Sequence, residues 1–183
     1  MFFNNFYIFA ISNYIKMKTI LLLKKLINFY YYLLLLVLLL FVAILPILFA
    51  TDKIKSINIV EGFDLSNLSA LQFAFLLISS TVIYLLYICA IYFLKESLDD
   101  LSNENYFSEK VIKNFNTSGI LILISGVCST AFNFLVDLIF INELKFSLDN
   151  SFLLCTLIGL FLMFLSEVFE KGRKTKQEND LTI

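Results

Sequence analysis

The chain has 183 residues, of which 60% are hydrophobic and 16% are charged, and its net charge is −1. Soluble domains are about 45–50% apolar and about 25% charged. This composition, with a mean hydropathy of +0.86, therefore excludes the ordinary soluble and disordered classes. The near-neutral charge argues against a nucleic-acid-binding surface. Because histidine is absent, the commonest metal ligand and general base are also missing, so we expect no cofactor and no direct nucleic-acid binding.

The three cysteines, Cys89, Cys128 and Cys155, all lie within apolar runs. Their odd number and wide spacing do not suit a disulfide framework or a metal site. We interpret them as buried thiols that act as small hydrophobic side chains.

Four long stretches that are almost free of charge predict membrane-spanning helices at residues 28–50, 67–94, 118–141 and 150–169. In the first, 15 of the 18 residues from 33 to 50 are Leu, Ile, Val or Phe. Such a run favours insertion by roughly 5–9 kcal/mol. Since a soluble protein of this size could not cover four such helices, the sequence predicts an all-α fold, a four-helix transmembrane bundle forming a single domain over residues 17–183.

The distribution of basic residues predicts the orientation of the bundle. Eleven of the 14 Lys and Arg residues lie before the first span, between the second and third spans, or after the fourth. The positive-inside rule places these segments in the cytoplasm, so both termini are expected there. We therefore predict a multi-pass protein of the bacterial cytoplasmic (inner) membrane.

Residues 1–16 are aromatic and aliphatic, with neither helical nor strand periodicity. They precede Met17-Lys18-Thr19, which is typical of a start followed by a short basic segment and a hydrophobic span. We predict that Met17 is the initiator and that residues 1–16 are an upstream extension. The alternative is an aromatic segment lying in the membrane interface.

The segment between the second and third spans carries signals of a helix start. Ser108 is a suitable N-cap, and Glu109 follows in the first turn, where the helix dipole favours a carboxylate. Val111, Ile112 and Phe115 then recur at helical spacing. We predict a short cytoplasmic interfacial helix that runs directly into span three.

Small and polar residues mark one face of span three: Gly119, Gly126, Thr130, Asn133 and Asp137. A comparable stripe of span four comprises Thr156, Gly159, Met163 and Ser166. Because small residues let helices approach closely, we interpret the two stripes as a packing seam. The alternative is a polar translocation path.

No catalytic or nucleotide-binding motif is present, so we expect that the protein is not an enzyme. The weaker alternative is a membrane-embedded enzyme. The neighbouring carboxylates Asp99 and Asp100 point to different faces of any helix and are expected in a solvated loop.

Two segments are more specific than the spans. Residues 166–183 read SEVFEKGRKTKQENDLTI, and residues 105–119 read NYFSEKVIKNFNTSG. We refer to residues 105–119 as motif A and to residues 166–183 as motif B. Motif B resembles the ending of bacterial membrane proteins known as the domain of unknown function 2975, and motif A resembles the segment of that family before its third span. In motif A, Tyr106, Val111 and Ser118 stand where the family usually has Pro, Asn and Ile.

The resemblance implies four transmembrane helices and no established activity, with a small helix-turn-helix regulator encoded nearby in some bacteria. The positions that we select as structural or interaction sites are Phe107, Ser108, Gly119, Gly126, Asn133, Asp137, Glu167, Phe169, Gly172, Asp180, Leu181 and Thr182. None is catalytic, because the family supplies no catalytic residue.

We therefore expect a regulatory or accessory protein that acts through its cytoplasmic motifs. Its expected partners are the lipid bilayer and either another membrane protein or a small cytoplasmic regulator. The alternative is a subunit of a small transporter or channel, suggested by Asn133 and Asp137. Four spans are few for a transporter without oligomers or internal symmetry.

One further hypothesis concerns Glu167, at the predicted cytoplasmic end of span four. An ion pair with Lys95 or Lys113 would hold motif B in place and present residues 177–183 as a fixed docking element. The alternative is that Glu167 extends to the headgroup region, while the basic residues after it serve only to orient the chain.

Overall fold

The computed structural model describes residues 2–51, 69–103, 105–141 and 150–180. These ranges contain helices α1 (Phe2–Ala50), α2 (Ala70–Ser102), α3 (Glu109–Val136) and α4 (Asn150–Asp180), and α3 is extended by a π-helical turn, Asp137–Ile141. Four helical segments, Lys18–Leu48, Ala70–Ser102, Glu109–Ile139 and Asn150–Asp180, are long and apolar enough to cross a membrane. The predicted all-α class and the number of spans are confirmed.

Helices α2 and α3 each begin at a serine cap. The Ser69 hydroxyl accepts from the Gln72 backbone N–H at 3.3 Å, and Gln72 Oε1 accepts from the Ser69 N–H at 2.9 Å. The Ser108 hydroxyl accepts from the Val111 N–H at 3.1 Å, with Glu109 in the first turn. The N-cap predicted at Ser108 is confirmed. Each cap satisfies N–H groups that the helix itself leaves without a partner.

The helices pack in chain order. Helix α1 lies against α2, α2 against α3 and α3 against α4, and within the described ranges no other pair of helices makes close backbone contact. Helix α1 is therefore at the edge, and only 6% of its most apolar stretch is buried, against 22% for α3. Because lipid tails are as apolar as leucine, the outer face of α1 needs no protein partner in a membrane.

The main core joins α2, α3 and α4 and comprises Ala90, Leu98, Leu101, Val111, Phe115, Ile122 and Leu162. A smaller cluster joins α1 to α2 through Leu34, Ile88 and Ile91. The main core extends to the end of the molecule where α2 ends, α3 begins and α4 carries motif B. We call this the charged end, because the ion pairs described below lie there.

Residues 109–115 are the first turns of α3, with no break before the rest of the helix. Their apolar side is part of the core, since Val111 is 0% and Phe115 is 3% exposed. The predicted continuity with span three is therefore present. The apolar side of the segment packs against other helices, however, and residues 109–115 are not a separate element.

Two smaller predictions are wrong. Asp99 and Asp100 lie in the last turns of α2 and form ion pairs, so neither is in a solvated loop. None of the three cysteines is buried: Cys89 is exposed on α2, Cys128 and Cys155 are partly exposed, and all three thiols are free. The physical reason is that an outward-facing apolar side chain meets lipid in a membrane, so a position within an apolar run does not imply burial in protein.

Residues 2–16 form the first part of α1. The predicted start at Met17 stays a prediction, and residues 142–149, between the third and fourth predicted spans, lie outside the described residues.

Candidate functional site where the two motifs meet

Motifs A and B, about fifty residues apart in sequence, meet at the charged end. Motif A provides the turn before α3 and the first turns of that helix, and motif B forms the end of α4. The Ser166 hydroxyl, in motif B, donates a hydrogen bond to the Ile112 carbonyl oxygen, in motif A, at 2.8 Å. Ser166 is nearly fully buried, so the bond joins the backbones of the two helices inside the protein. We call this region the motif junction.

Three phenylalanines build the apolar part of the motif junction. The Phe115 and Phe169 rings stack with centroids 5.6 Å apart, and the Phe107 ring meets Phe169 edge-on at 6.2 Å. The ring of Phe107 also lies directly on Gly172, where an added Cβ would collide with ring atom Cε1. Glycine at position 172 therefore makes room for Phe107 without breaking the helix, which continues to Asp180.

Charged side chains surround the motif junction. Arg173 Nη1 lies 3.5 Å from Glu109 Oε2 and so links motif B to motif A. Lys110 Nζ lies 2.9 Å from Glu96 Oε2 and 3.5 Å from Asp100 Oδ2, joining α3 to α2. These pairs add specificity more than stability, because partly exposed ion pairs contribute little free energy.

Helix α1 joins the same end through Lys24. Its Nζ lies 2.9 Å from Asp99 Oδ1 and donates a hydrogen bond to the Ser102 hydroxyl at 3.0 Å. All four helices are therefore linked by polar contacts at the charged end. None of these pairs was predicted from the sequence, because each depends on how the helices are rotated against one another.

The small-residue stripes of α3 and α4 face each other. A Cβ added at Gly119 would lie 2.6 Å from the Gly159 carbonyl oxygen, and one added at Gly126 would lie 2.9 Å from Cys155 Cβ. Toward α2, the Ser118 hydroxyl donates to the Ala90 carbonyl oxygen at 2.8 Å. The structure thus places Gly119 and Gly126 of the predicted seam against α4, whereas Thr130 and Asn133 of the same stripe line a cavity. The seam leads into the motif junction through Met163, whose Cγ would lie 2.8 Å from a Cβ at Gly119.

Glu167 does not hold motif B in the way that the sequence suggested. It is exposed and forms no ion pair within the described ranges. Lys95 instead lies over the rings of Tyr31 and Tyr32, 5.2 and 5.5 Å from their centroids. The reason is helical geometry: Ser166 points toward α3, and the next residue is turned about 100° away from it.

The remaining predicted sites are spread along the chain. Asn133 lines a cavity between α2, α3 and α4, and Asp137 caps α3 at the start of the π-helical turn. Asp180 is the last residue of α4 and is exposed. Leu181 and Thr182 lie outside the described residues.

The fold and the site together define a multi-pass, all-helical membrane protein whose two sequence motifs form one surface at one end. The chain belongs to the family described as "Protein of unknown function (DUF2975)", whose model matches residues 9–183 and so includes both motifs. The predicted family membership is confirmed. No curated protein and no solved structure matches the chain.

Proposed function

We propose that this protein is a regulatory or accessory membrane protein that acts by binding a partner at its charged end and not by catalysis. The observation that carries the proposal is that motifs A and B, the two most specific segments of the chain, build a single packed surface. Phe107 seated on Gly172 and the Glu109–Arg173 pair hold that surface together.

The second half of motif B supplies the part available to a partner. Beyond Arg173 the helix continues past the motif junction to Asp180, and Lys171, Lys174 and Lys176 are exposed. A rigid helix with a defined direction loses less conformational entropy on binding than a flexible tail does. The partner class is a small cytoplasmic regulator or another membrane protein.

This proposal includes an orientation and a location. Eleven basic residues lie on the segments that meet or flank the charged end, and three lie on the other side. This distribution supports a cytoplasmic position for the charged end, in the inner membrane of a bacterium. Reporter fusions after Lys113 and after Ile183 are expected to read cytoplasmic, and a fusion after Lys55 is expected to read exported. An exported signal at Ile183 would contradict the orientation.

The binding proposal is tested by site-directed photocrosslinking in native membranes. A benzoyl-phenylalanine at Lys174 is expected to give a defined adduct, identified by mass spectrometry. The same group at Leu71, which is 84% exposed at the opposite end, serves as the matched control. Identical adducts from both positions would contradict a specific docking surface.

A variant of the motif junction then asks whether its packing matters. Gly172→Leu would displace Phe107 and is expected to remove most of the adduct formed at Lys174, at an unchanged protein level. Val168→Leu, at an exposed position of the same helix, is expected to leave the adduct unchanged. If Gly172→Leu also leaves the adduct unchanged, the motif junction does not position the docking helix.

A further inference from the structure

A cavity of about 410 Å³ lies away from the charged end, between α2, α3 and α4. Gly126 and Cys155 mark its inner part, and Ser151, the second residue of α4, marks its outer part. The volume is within the range of small-molecule pockets, roughly 300–1,000 Å³. The cavity is separate from the motif junction and is not used by the proposed docking.

The cavity is lined by polar, aromatic and aliphatic side chains, and none of the described residues that line it is charged. The lining supplies hydroxyl groups, the Asn133 amide and aromatic rings such as Phe132 and Phe152. A charged ligand would meet no counter-charge here and would lose its hydration. The lining therefore favours an uncharged ligand.

Two of the polar groups on α3 remain available. Ser80, Ser125 and Thr130 donate to carbonyl oxygens of their own helices. Asn133 and Ser129 make no hydrogen bond to any residue within the described ranges. An amide and a hydroxyl at membrane depth gain from a partner, since hydrocarbon supplies none. Together they offer both donors and acceptors.

The cavity ends inside the protein. Toward the charged end, Ala90 is 0% and Ile122 is 3% exposed, and the hydrogen bond from Ser118 to Ala90 ties α3 to α2. Gly126 and Cys155 close the gap between α3 and α4 at the same level. The geometry is therefore that of a binding pocket that ends in the core.

We propose that this cavity binds an uncharged amphiphile with a hydroxyl-bearing headgroup. The headgroup hydrogen-bonds to Asn133 and Ser129, and the apolar part of the ligand lies against Phe132 and Phe152. An alkyl glycoside has the required chemistry: several hydroxyl groups, no charge and an apolar chain.

The absence of tryptophan from the chain permits a direct test in the full-length protein in lipid nanodiscs. Phe152→Trp places a single fluorophore in the cavity, and Phe161→Trp places one at an outward-facing position, 57% exposed, on the same helix. The probes are octyl glucoside, octyl sulfate and octyltrimethylammonium, compared at equal mole fraction in the membrane.

Octyl glucoside is expected to change the emission of the tryptophan at position 152 until the change saturates. The emission of the tryptophan at position 161 is expected to change only in proportion to the octyl glucoside content of the membrane. The two charged probes are expected to give the proportional change at both positions. Asn133→Leu is expected to raise about tenfold the mole fraction of octyl glucoside that gives half of the saturating change. A factor of about ten corresponds to the loss of one hydrogen-bonding group. Asn116→Leu, an exposed residue of α3 outside the cavity, is the matched control.

Four results would overturn the proposal. Equal responses of both tryptophans, or equal responses to all three probes, would mean a general effect of the bilayer. No response at 152 would mean that a lipid chain or a second copy of the protein fills the cavity. Saturation that is unaffected by Asn133→Leu would mean binding without the headgroup contact. Because no readout involves the charged end, failure here leaves the docking proposal intact.

Discussion

The two halves of the contact between α3 and α4 differ in where their hydroxyl groups donate. At the charged end, the Ser166 hydroxyl bonds across to the Ile112 carbonyl oxygen on α3. Toward the cavity, Thr130 and Thr156 bond to carbonyl oxygens of their own helices, those of Gly126 and Phe152. The first half is closed, and the second half borders a cavity.

This difference shows how a helix pair can be fixed at one end and open at the other. A hydroxyl that bonds across the contact sets the distance between the helices, whereas one that bonds within its own helix leaves that distance free. The closed half carries the proposed docking surface, and the open half carries the proposed ligand pocket. The predictions below test this contrast.

The largest expected effect comes from the seam glycines. Gly119→Ala would place a Cβ 2.6 Å from a backbone oxygen of α4, so the helices must separate, at a cost of about 1–3 kcal/mol. Gly126→Ala would place a Cβ 2.9 Å from Cys155 Cβ, a longer approach and to a side-chain atom, and is expected to cost less. The measurement is unfolding in mixed micelles followed by circular dichroism.

Ile124→Ala, at an exposed position of α3, is the control for both glycine variants. Equal losses for Gly119→Ala and Gly126→Ala would show that the two halves of the contact are equally rigid.

The next effect concerns the aromatic packing of the motif junction. Phe107→Ala is expected to weaken the attachment of motif B by about 1 kcal/mol, since it removes one edge-on aromatic pair. Gly172→Ala displaces the same ring, so the double variant is expected to cost less than the sum of the two. Limited proteolysis between residues 171 and 176 measures the loosening. Strict additivity would show that the two residues act independently.

A smaller effect tests the hydroxyl contrast directly. Ser166→Ala removes the buried hydrogen bond between α4 and α3, and bonds of this kind in membranes contribute about 0.6 kcal/mol on average. Thr156→Val removes a bond within α4 and is expected to leave stability unchanged, because no contact between helices is lost. A larger loss for Thr156→Val, measured by the same unfolding assay, would reverse the interpretation.

The Lys24–Asp99 pair is expected to contribute less than about 1 kcal/mol, because both side chains are partly exposed. A double-mutant cycle with Lys24→Ala and Asp99→Ala should show a coupling that decreases as salt is added. A coupling that is independent of salt would mean that the hydrogen bond to Ser102 is the main contact of Lys24.

The smallest expected effect is that of Glu167→Gln. Since Glu167 is exposed and Lys95 lies on tyrosine rings, the substitution should leave the proteolysis of motif B unchanged, in contrast to Phe107→Ala. Loosening comparable to that of Phe107→Ala would restore the ion-pair hypothesis and contradict the observed placement.

Several features of the fold and the site could be read from local sequence alone. The serine cap at Ser108 depends on residues three positions apart, and the spans depend on uninterrupted runs of apolar residues. The close approach of α3 and α4 was predictable because small residues such as Gly119 and Gly159 let two helix backbones come close. Motifs A and B could be assigned to a family from their letters, but their contact could not.

The sequence by itself therefore determined the all-helical class, the number of spans, the close approach at Gly119 and the family. The tertiary structure decided the rest: that Phe107 rests on Gly172, that Asp99 and Asp100 are paired, that Glu167 has no ion-pair partner among the described residues, and that a cavity reaches Asn133. The physical reason lies in the solvent. In water, apolar residues mark the buried face of a helix. In a bilayer, lipid and protein are equally acceptable neighbours for leucine, so the rotation of each helix is set by side-chain contacts that only the folded chain brings together.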